Sequence, residues 1–183
     1  MKLYRWYNHR IKYFYRNFIY GIKNLWKWFP IIWNDRDFDH YYIWEVLKFK
    51  LSKQSAYLKK RNTHDSTERS VERMKLCITL INRIKTEYYT DEFHSYYEDK
   101  LIFTPIQDTK STSLSFELVS ERYKEYFDKY SRIYKQVITM KDPPYITTNT
   151  KFGIGINMGL INHNRAKKLL YKILEQNLEQ WWD

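Results

Sequence analysis

Residues 116–140, FELVSERYKEYFDKYSRIYKQVITM, carry the clearest periodic pattern of the chain. Large apolar or aromatic side chains recur there at intervals of three and four residues: Phe116, Val119, Tyr123, Tyr126, Tyr130, Ile133, Val137 and Met140. This spacing places them along one face of an α-helix. The pattern predicts a helix that packs in a bundle or pairs with another chain.

Four more segments with helical spacing lie on either side of this one. The first covers residues 2–28 and is expected to end at Pro30. The second follows Asp37 or Asp39 and breaks at 62–66. The other two cover residues 65–89 and 164–182. The polar stretch 90–113 predicts a loop with one short extended piece near 101–103, and residues 141–163 predict a connector that contains prolines and glycines. The fold class is therefore predicted as mainly α, a bundle of about five helices with one long loop and at most a short β element.

Length and composition favour a single domain spanning residues 1–183. Only four glycines and four prolines occur, which disfavours a many-stranded sandwich or barrel. Cys77 is the only cysteine, so it forms no internal disulfide and no thiolate zinc site. The sequence also contains no apolar run long enough to cross a bilayer and no signal peptide. These features predict a cytoplasmic protein.

The basic charge is concentrated at the N-terminus. The net charge is +11, and residues 1–34 contain seven Lys or Arg, no acidic residue and twelve aromatic residues. Residues 1–29 are therefore expected to form a basic, aromatic, amphipathic helix. Such a segment can bind nucleic acid, anionic lipid or an acidic protein, and the charge does not choose among them.

Four blocks of the sequence are similar to a known group of proteins. They are WFPIIWNDRDFDH at 28–40, RMKLCITLINR at 73–83, INHNRA at 161–166 and WWD at 181–183. Together they resemble a family of small, uncharacterised proteins encoded by tailed bacteriophages, and the resemblance spans nearly the whole chain. It implies a phage origin, hence the cytoplasm of a bacterial host, but no assigned activity and no catalytic residues.

The most suggestive site motif combines glycines with polar residues. Glycines at 153, 155 and 159 precede Asn162, His163 and Arg165, and flexible backbone N–H groups at a helix N-terminus beside an Arg favour an anion. The alternative is that the glycines form a turn and the polar residues cap the helix. The segment 34–40 adds three carboxylates, an Arg and a His, which equally suit helix capping. The candidate ligand-binding residues are Arg165, His163, Asn162, Arg36, His40 and Trp182.

Catalytic and metal motifs are weak by comparison. His64-Asp65 resembles the pair of HD-type metal phosphohydrolases, but it falls in a predicted loop. No Gly-x-Ser-x-Gly occurs, and Cys77 should be inert on the apolar side of a helix. No catalytic residue, metal or cofactor is therefore predicted, although distant residues could still form an enzyme site.

The favoured hypothesis is a phage accessory protein that binds an anionic, nucleotide-like ligand and counters host defence signalling by sequestration. A second hypothesis is a nucleic-acid-binding accessory protein whose basic N-terminal helix follows phosphate backbones. A third is a virion or assembly protein that acts through helix 116–140, with a homo-oligomer as one form of such contacts.

Overall fold

The computed structural model describes residues 2–33, 35–36, 41–61, 67–105, 112–140 and 150–182. The protein is mainly α-helical with one small antiparallel sheet, which confirms the predicted fold class. The helices are α1 (Lys2–Ile32), α2 (Tyr41–Arg61), α3 (Thr67–Lys85), α4 (Tyr88–His94), α5 (Tyr123–Lys129), α6 (Ser131–Thr139) and α7 (Lys151–Asn177). The strands are β1 (Asp99–Pro105) and β2 (Thr112–Leu118), and a 3-10 helix covers Glu179–Trp182.

The chain divides into two compact units, Met1–Lys50 and Leu51–Asp183. The organisation into a single domain stays a prediction. The first unit contains α1 and the start of α2, where the rings of Trp28 and Phe49 meet edge to face with centroids 4.8 Å apart. Pro30 lies inside α1 and does not end it, contrary to the prediction. A proline removes a single donor, and the Trp33 amide still donates to the Phe29 carbonyl at 3.0 Å in the next turn.

The second unit is built around α7, against which α3, α4, α5 and α6 pack. Most of its buried apolar side chains come from these five helices: Val71, Met74, Cys77, Leu80, Ile81, Ile84, Phe93, Tyr123, Tyr126, Phe127, Ile133, Val137, Met158, Ala166 and Leu170. Leu51 of α2 and Trp181 of the 3-10 helix are also buried. Much of this core is aromatic. The Phe93 ring contacts the rings of Tyr97, Tyr126 and Phe152.

The region predicted as one helix over 116–140 consists of a strand followed by two short helices. Phe116 lies in β2 and is exposed, whereas Tyr123, Tyr126, Ile133 and Val137 are buried as their spacing predicted. Tyr130 has φ −116° and ψ 38°, outside the helical region, and it separates α5 from α6. Residues 116–118, the first part of the predicted helix, belong to β2 instead, because β1 supplies hydrogen-bond partners for their backbone.

The predicted loop 90–113 holds regular structure for much of its length. Its first residues complete α4, and the β1–β2 hairpin pairs Leu101 with Phe116 and Phe103 with Leu114. Residues 114, 116 and 118 are apolar at a spacing of two, the signal of a strand, which the longer helical pattern masked. The third helix ends at Lys85 rather than near 89, because Glu87 adopts a left-handed backbone conformation with φ 50°.

The predicted connector 141–163 is wrong in its second half. Helix α7 begins at Lys151, and the Thr150 side chain accepts a hydrogen bond from the Gly153 amide at 3.0 Å as its N-cap. Asp37, Asp39, the predicted break at 62–66 and the prolines at 143 and 144 lie outside the described residues. Across the described helices, none is long and apolar enough to cross a membrane.

Candidate functional site

The glycine motif does not form an anion-binding helix N-terminus. Asn162, His163 and Arg165 lie in the middle of α7, more than two turns after its first residue, Lys151. In the interior of an α-helix the backbone N–H groups donate to carbonyls of the preceding turn. They are therefore not free to bind a phosphate, and the prediction of a helix start at this position is wrong.

The glycines serve close packing between α7 and α4. A Cβ atom at Gly155 would lie 2.1 Å from the Phe93 ring, and one at Gly159 would lie 2.8 Å from the Tyr89 carbonyl oxygen. Since Gly155 and Gly159 are four residues apart, they share one face of the helix. Their missing side chains let the backbone of α7 approach α4, where a larger residue would collide. The glycines therefore form neither the turn nor the anion-binding site that the sequence suggested.

The three polar residues that follow the glycines have different surroundings. The amide nitrogen of Asn162 is buried and forms no hydrogen bond of normal geometry with the described residues. Burial raises the pKa of the nearby Tyr126 phenol, and the Asn162 amide partly offsets that rise. The His163 ring packs edge to face with Tyr89 at a centroid distance of 6.5 Å. Burial lowers the pKa of His163, and the charge of Lys167 lowers it further. Arg165 is exposed.

The positions of the six candidate residues disfavour binding of one shared ligand. Successive residues of a helix turn by about 100°, so His163 and Arg165 point about 160° apart. Arg36 belongs to the first unit, is exposed, and donates to the carbonyl of Asp35 at 3.1 Å. His40 and the side chain of Trp182 lie outside the described residues. The ligand-binding role of the six residues stays a prediction, without the helix terminus that motivated it.

A polar cluster in the second unit involves Glu92 of α4. The Glu92 side chain is only 7% exposed and accepts hydrogen bonds from the Lys129 ammonium at 2.7 Å and the Tyr130 hydroxyl at 2.8 Å. Burial raises the pKa of the Tyr130 phenol, and the bond to Glu92 raises it further, because that bond stabilises the neutral form. The cluster ties the break between α5 and α6 to α4. We assign it a structural role.

Cysteine and metal chemistry find little support in the described part of the chain. Cys77 is fully buried in α3, and burial raises the pKa of its thiol to about 11, so the reactive thiolate is disfavoured. Among the described residues, no group of three His, Cys, Asp or Glu side chains is arranged to hold a metal ion. A surface depression of about 360 Å³ is lined by side chains of both charges and by two others: Lys59, Thr67, Glu68, Val71, Glu72 and Lys75. This mixture favours neither an anion nor a cation.

Comparison of the chain with protein-family models, curated proteins and solved structures finds no match. The resemblance to proteins of tailed bacteriophages therefore stays a prediction.

Helix α1 presents the most distinctive surface of the molecule. Four cations lie at positions that span only about 60° of the helix circumference. We call this set, Lys12, Arg16, Lys23 and Lys27, the cationic stripe of α1. All four side chains are exposed, and among the described residues none forms an ion pair. Arg16 stacks over the Tyr13 ring with its guanidinium carbon 4.5 Å from the ring centroid.

The opposite side of the same helix is apolar and exposed. We call the following set the apolar face of α1, although its last member, Trp33, directly follows the end of the helix: Ile11, Phe14, Phe18, Ile22, Leu25, Trp26, Phe29 and Trp33. The exposed fractions reach 73% for Phe14 and 76% for Trp26, far above those of core residues. Half-buried Trp28, which meets Phe49, lies to one side of this face. The sequence predicted an amphipathic helix here, but its pattern did not reveal that the apolar side is exposed.

Proposed function

We propose that the protein is a binding protein for phosphate-rich polyanions and that the cationic stripe of α1 is its contact surface. The observation that supports the proposal is the exposure of four aligned cations in a segment, residues 1–34, that contains no carboxylate side chain. Neighbouring like charges on a helix repel one another. A polyanion relieves that repulsion and releases its own counterions when it binds.

The length of the stripe favours an extended partner. Lys12 and Lys27 are separated by about 22 Å along the helix axis, from the rise of each residue. A single nucleotide is too short to contact both ends. The phosphate chemistry of the sequence-based hypothesis is therefore retained, while its small nucleotide-like ligand is replaced by a polymer or an extended surface. Interference with host defence stays a hypothesis that depends on the phage setting.

Long-chain inorganic polyphosphate tests this proposal, since it offers phosphate charge without bases, sugars or apolar groups. The test variant is Lys12→Gln/Lys23→Gln/Lys27→Gln. The matched control is Lys135→Gln/Lys168→Gln/Lys172→Gln, which removes the same charge from exposed positions of α6 and α7. Glutamine keeps a high helix propensity, so neither variant should unfold its helix.

Binding is measured by titration calorimetry at several salt concentrations, with circular dichroism to verify the fold. The expected result is strong binding by the original protein and the control, with an affinity that falls steeply as salt rises. The stripe variant should bind at least tenfold more weakly and show a shallower salt dependence, with roughly one unit of slope lost for each phosphate contact removed. Equal weakening in both variants would assign binding to net charge alone and contradict the proposal.

A further inference from the structure

We infer that the partner of α1 is the surface of an anionic lipid bilayer, on which the helix lies in the plane of the interface. This inference rests on the proposed function and identifies its polyanion as a layer of lipid phosphates. The observation behind it is that one exposed helix carries both the cationic stripe and, on the opposite side, the apolar face. An interfacial helix inserts its apolar side toward the acyl chains and keeps its cations among the headgroups.

Two faces of different chemistry need a partner that satisfies both. A nucleic acid would neutralise the cationic stripe but leave Phe14, Phe18 and Leu25 in water. A bilayer offers phosphate and hydrocarbon within one helix diameter of each other. The apolar face extends about 33 Å from Ile11 to Trp33. Ordinary protein surfaces expose large apolar residues singly and not as a continuous patch of this length.

The positions of the tryptophans agree with this orientation. Trp26 and Trp33 lie at the edge of the apolar face, on the side toward Lys12, from their angular positions at about 100° per residue. Tryptophan prefers the boundary between hydrocarbon and water, since its ring is apolar and its N–H remains polar. Both side chains are highly exposed. No described helix can span a membrane, so the contact is with the surface.

Charge complementarity favours lipid over a second copy of the chain. Two copies joined through this face would bring together segments that are both cationic and both free of acidic side chains. Anionic lipid instead adds attraction, which amounts to about a fivefold gain in partitioning for each Lys or Arg near the surface. Self-association is an outcome that the experiment below distinguishes.

The test measures co-flotation of the protein with vesicles. One set of vesicles mixes phosphatidylglycerol with phosphatidylcholine, and the other contains phosphatidylcholine alone. The apolar-face variant is Phe14→Gln/Leu25→Gln. Its control, Ile138→Gln/Leu169→Gln, makes the same kind of change at exposed apolar positions of α6 and α7. Each protein is also titrated with polyphosphate and with duplex DNA, and its oligomeric state is measured by analytical ultracentrifugation.

The expected result is binding of the original protein and the control to anionic vesicles and little binding to neutral ones. The apolar-face variant should bind anionic vesicles at least tenfold more weakly, since two apolar groups that enter the bilayer are lost, yet bind polyphosphate as before. A blue shift of tryptophan emission in anionic vesicles should accompany binding, because Trp26 and Trp33 leave water.

Other outcomes separate the inference from the proposed function. Binding to polyphosphate or duplex DNA without binding to vesicles would overturn the bilayer and leave the proposed function intact. Loss of a dimer in the apolar-face variant, with no vesicle binding by the original protein, would identify a second copy as the partner and overturn the inference. Failure to bind any of the three polyanions would overturn both proposals.

Discussion

Helices α1 and α7 carry similar helical periodicity but present opposite surfaces. Helix α1 exposes large aromatic and aliphatic side chains along its apolar face, whereas α7 buries Gly155, Met158 and Gly159 among the other helices. This contrast shows that helical spacing identifies an apolar face but does not reveal whether another segment packs against it. In α7 the small residues permit another backbone to approach, while in α1 the bulky residues lie opposite exposed cations.

The largest expected effect comes from adding one methyl group to each helix. Gly155→Ala should lower the free energy of unfolding by about 3 kcal/mol, because its Cβ would overlap the Phe93 ring in a packed core. Gly21→Ala in α1 meets nothing within 4 Å and should stabilise that helix by about 0.5–1 kcal/mol through its higher helix propensity. Urea unfolding followed by circular dichroism measures both. Equal effects from the two substitutions would remove the distinction between a packed and an exposed helix.

A smaller effect should distinguish the lysines of the two regions. Lys129→Gln removes the ammonium that donates to buried Glu92 and should lower the free energy of unfolding by about 1–2 kcal/mol. The effect is smaller than for a fully buried pair because the Lys129 side chain is half exposed to solvent. Lys23→Gln in the cationic stripe should change stability by less than about 0.5 kcal/mol, since it lies on an exposed surface away from such a contact. Chemical unfolding of the two variants at one ionic strength makes the comparison. A Lys23 effect as large as that of Lys129 would indicate that the stripe stabilises the fold.

The smallest expected effect is a pH dependence in the second unit. Burial lowers the pKa of His163 in the folded protein below its usual 6.5, so the unfolded chain binds the proton at higher pH. The stability that neutral His163 contributes to the folded protein is therefore fully present above 6.5, its pKa in the unfolded chain. That stability is lost as the pH falls through 6.5 toward the lower pKa of His163 in the folded protein. Stability should therefore decline between neutral and mildly acidic pH, and His163→Gln should make that decline shallower. An unchanged pH profile in the variant would show that His163 is not the group responsible.

Several elements could be predicted from the sequence because their signals are local. The spacing of the last helix predicts five inward residues, and all are buried except Ile173, which is half-buried: Ala166, Leu170, Ile173, Asn177 and Trp181. The mainly helical fold followed from the same periodicity and from the scarcity of glycine and proline. The extended piece predicted near 101–103 is part of β1, but its partner strand β2 was missed, because residues 114, 116 and 118 alternate over too short a stretch to compete with the longer pattern that follows.

The candidate site was less accessible to sequence reasoning than the fold. Three glycines near Asn162 and Arg165 suggested a phosphate-binding turn, since glycine is common both in such turns and in close helix contacts. The spacing of Gly155 and Gly159 by four residues was the available signal for a helix contact. It could be interpreted only once α4 was known to be the neighbour.

The sequence by itself determined that the fold is mainly helical, where positive charge accumulates and which side of α1 is apolar. These properties depend on residues close together in the chain, where a period of 3.6 residues orders the side chains. Only the tertiary structure decided that the glycine face of α7 meets α4, that Tyr130 separates two helices, and that the apolar face of α1 remains exposed. The reason is that burial depends on which distant segment occupies the adjacent space, and local spacing carries no record of that partner.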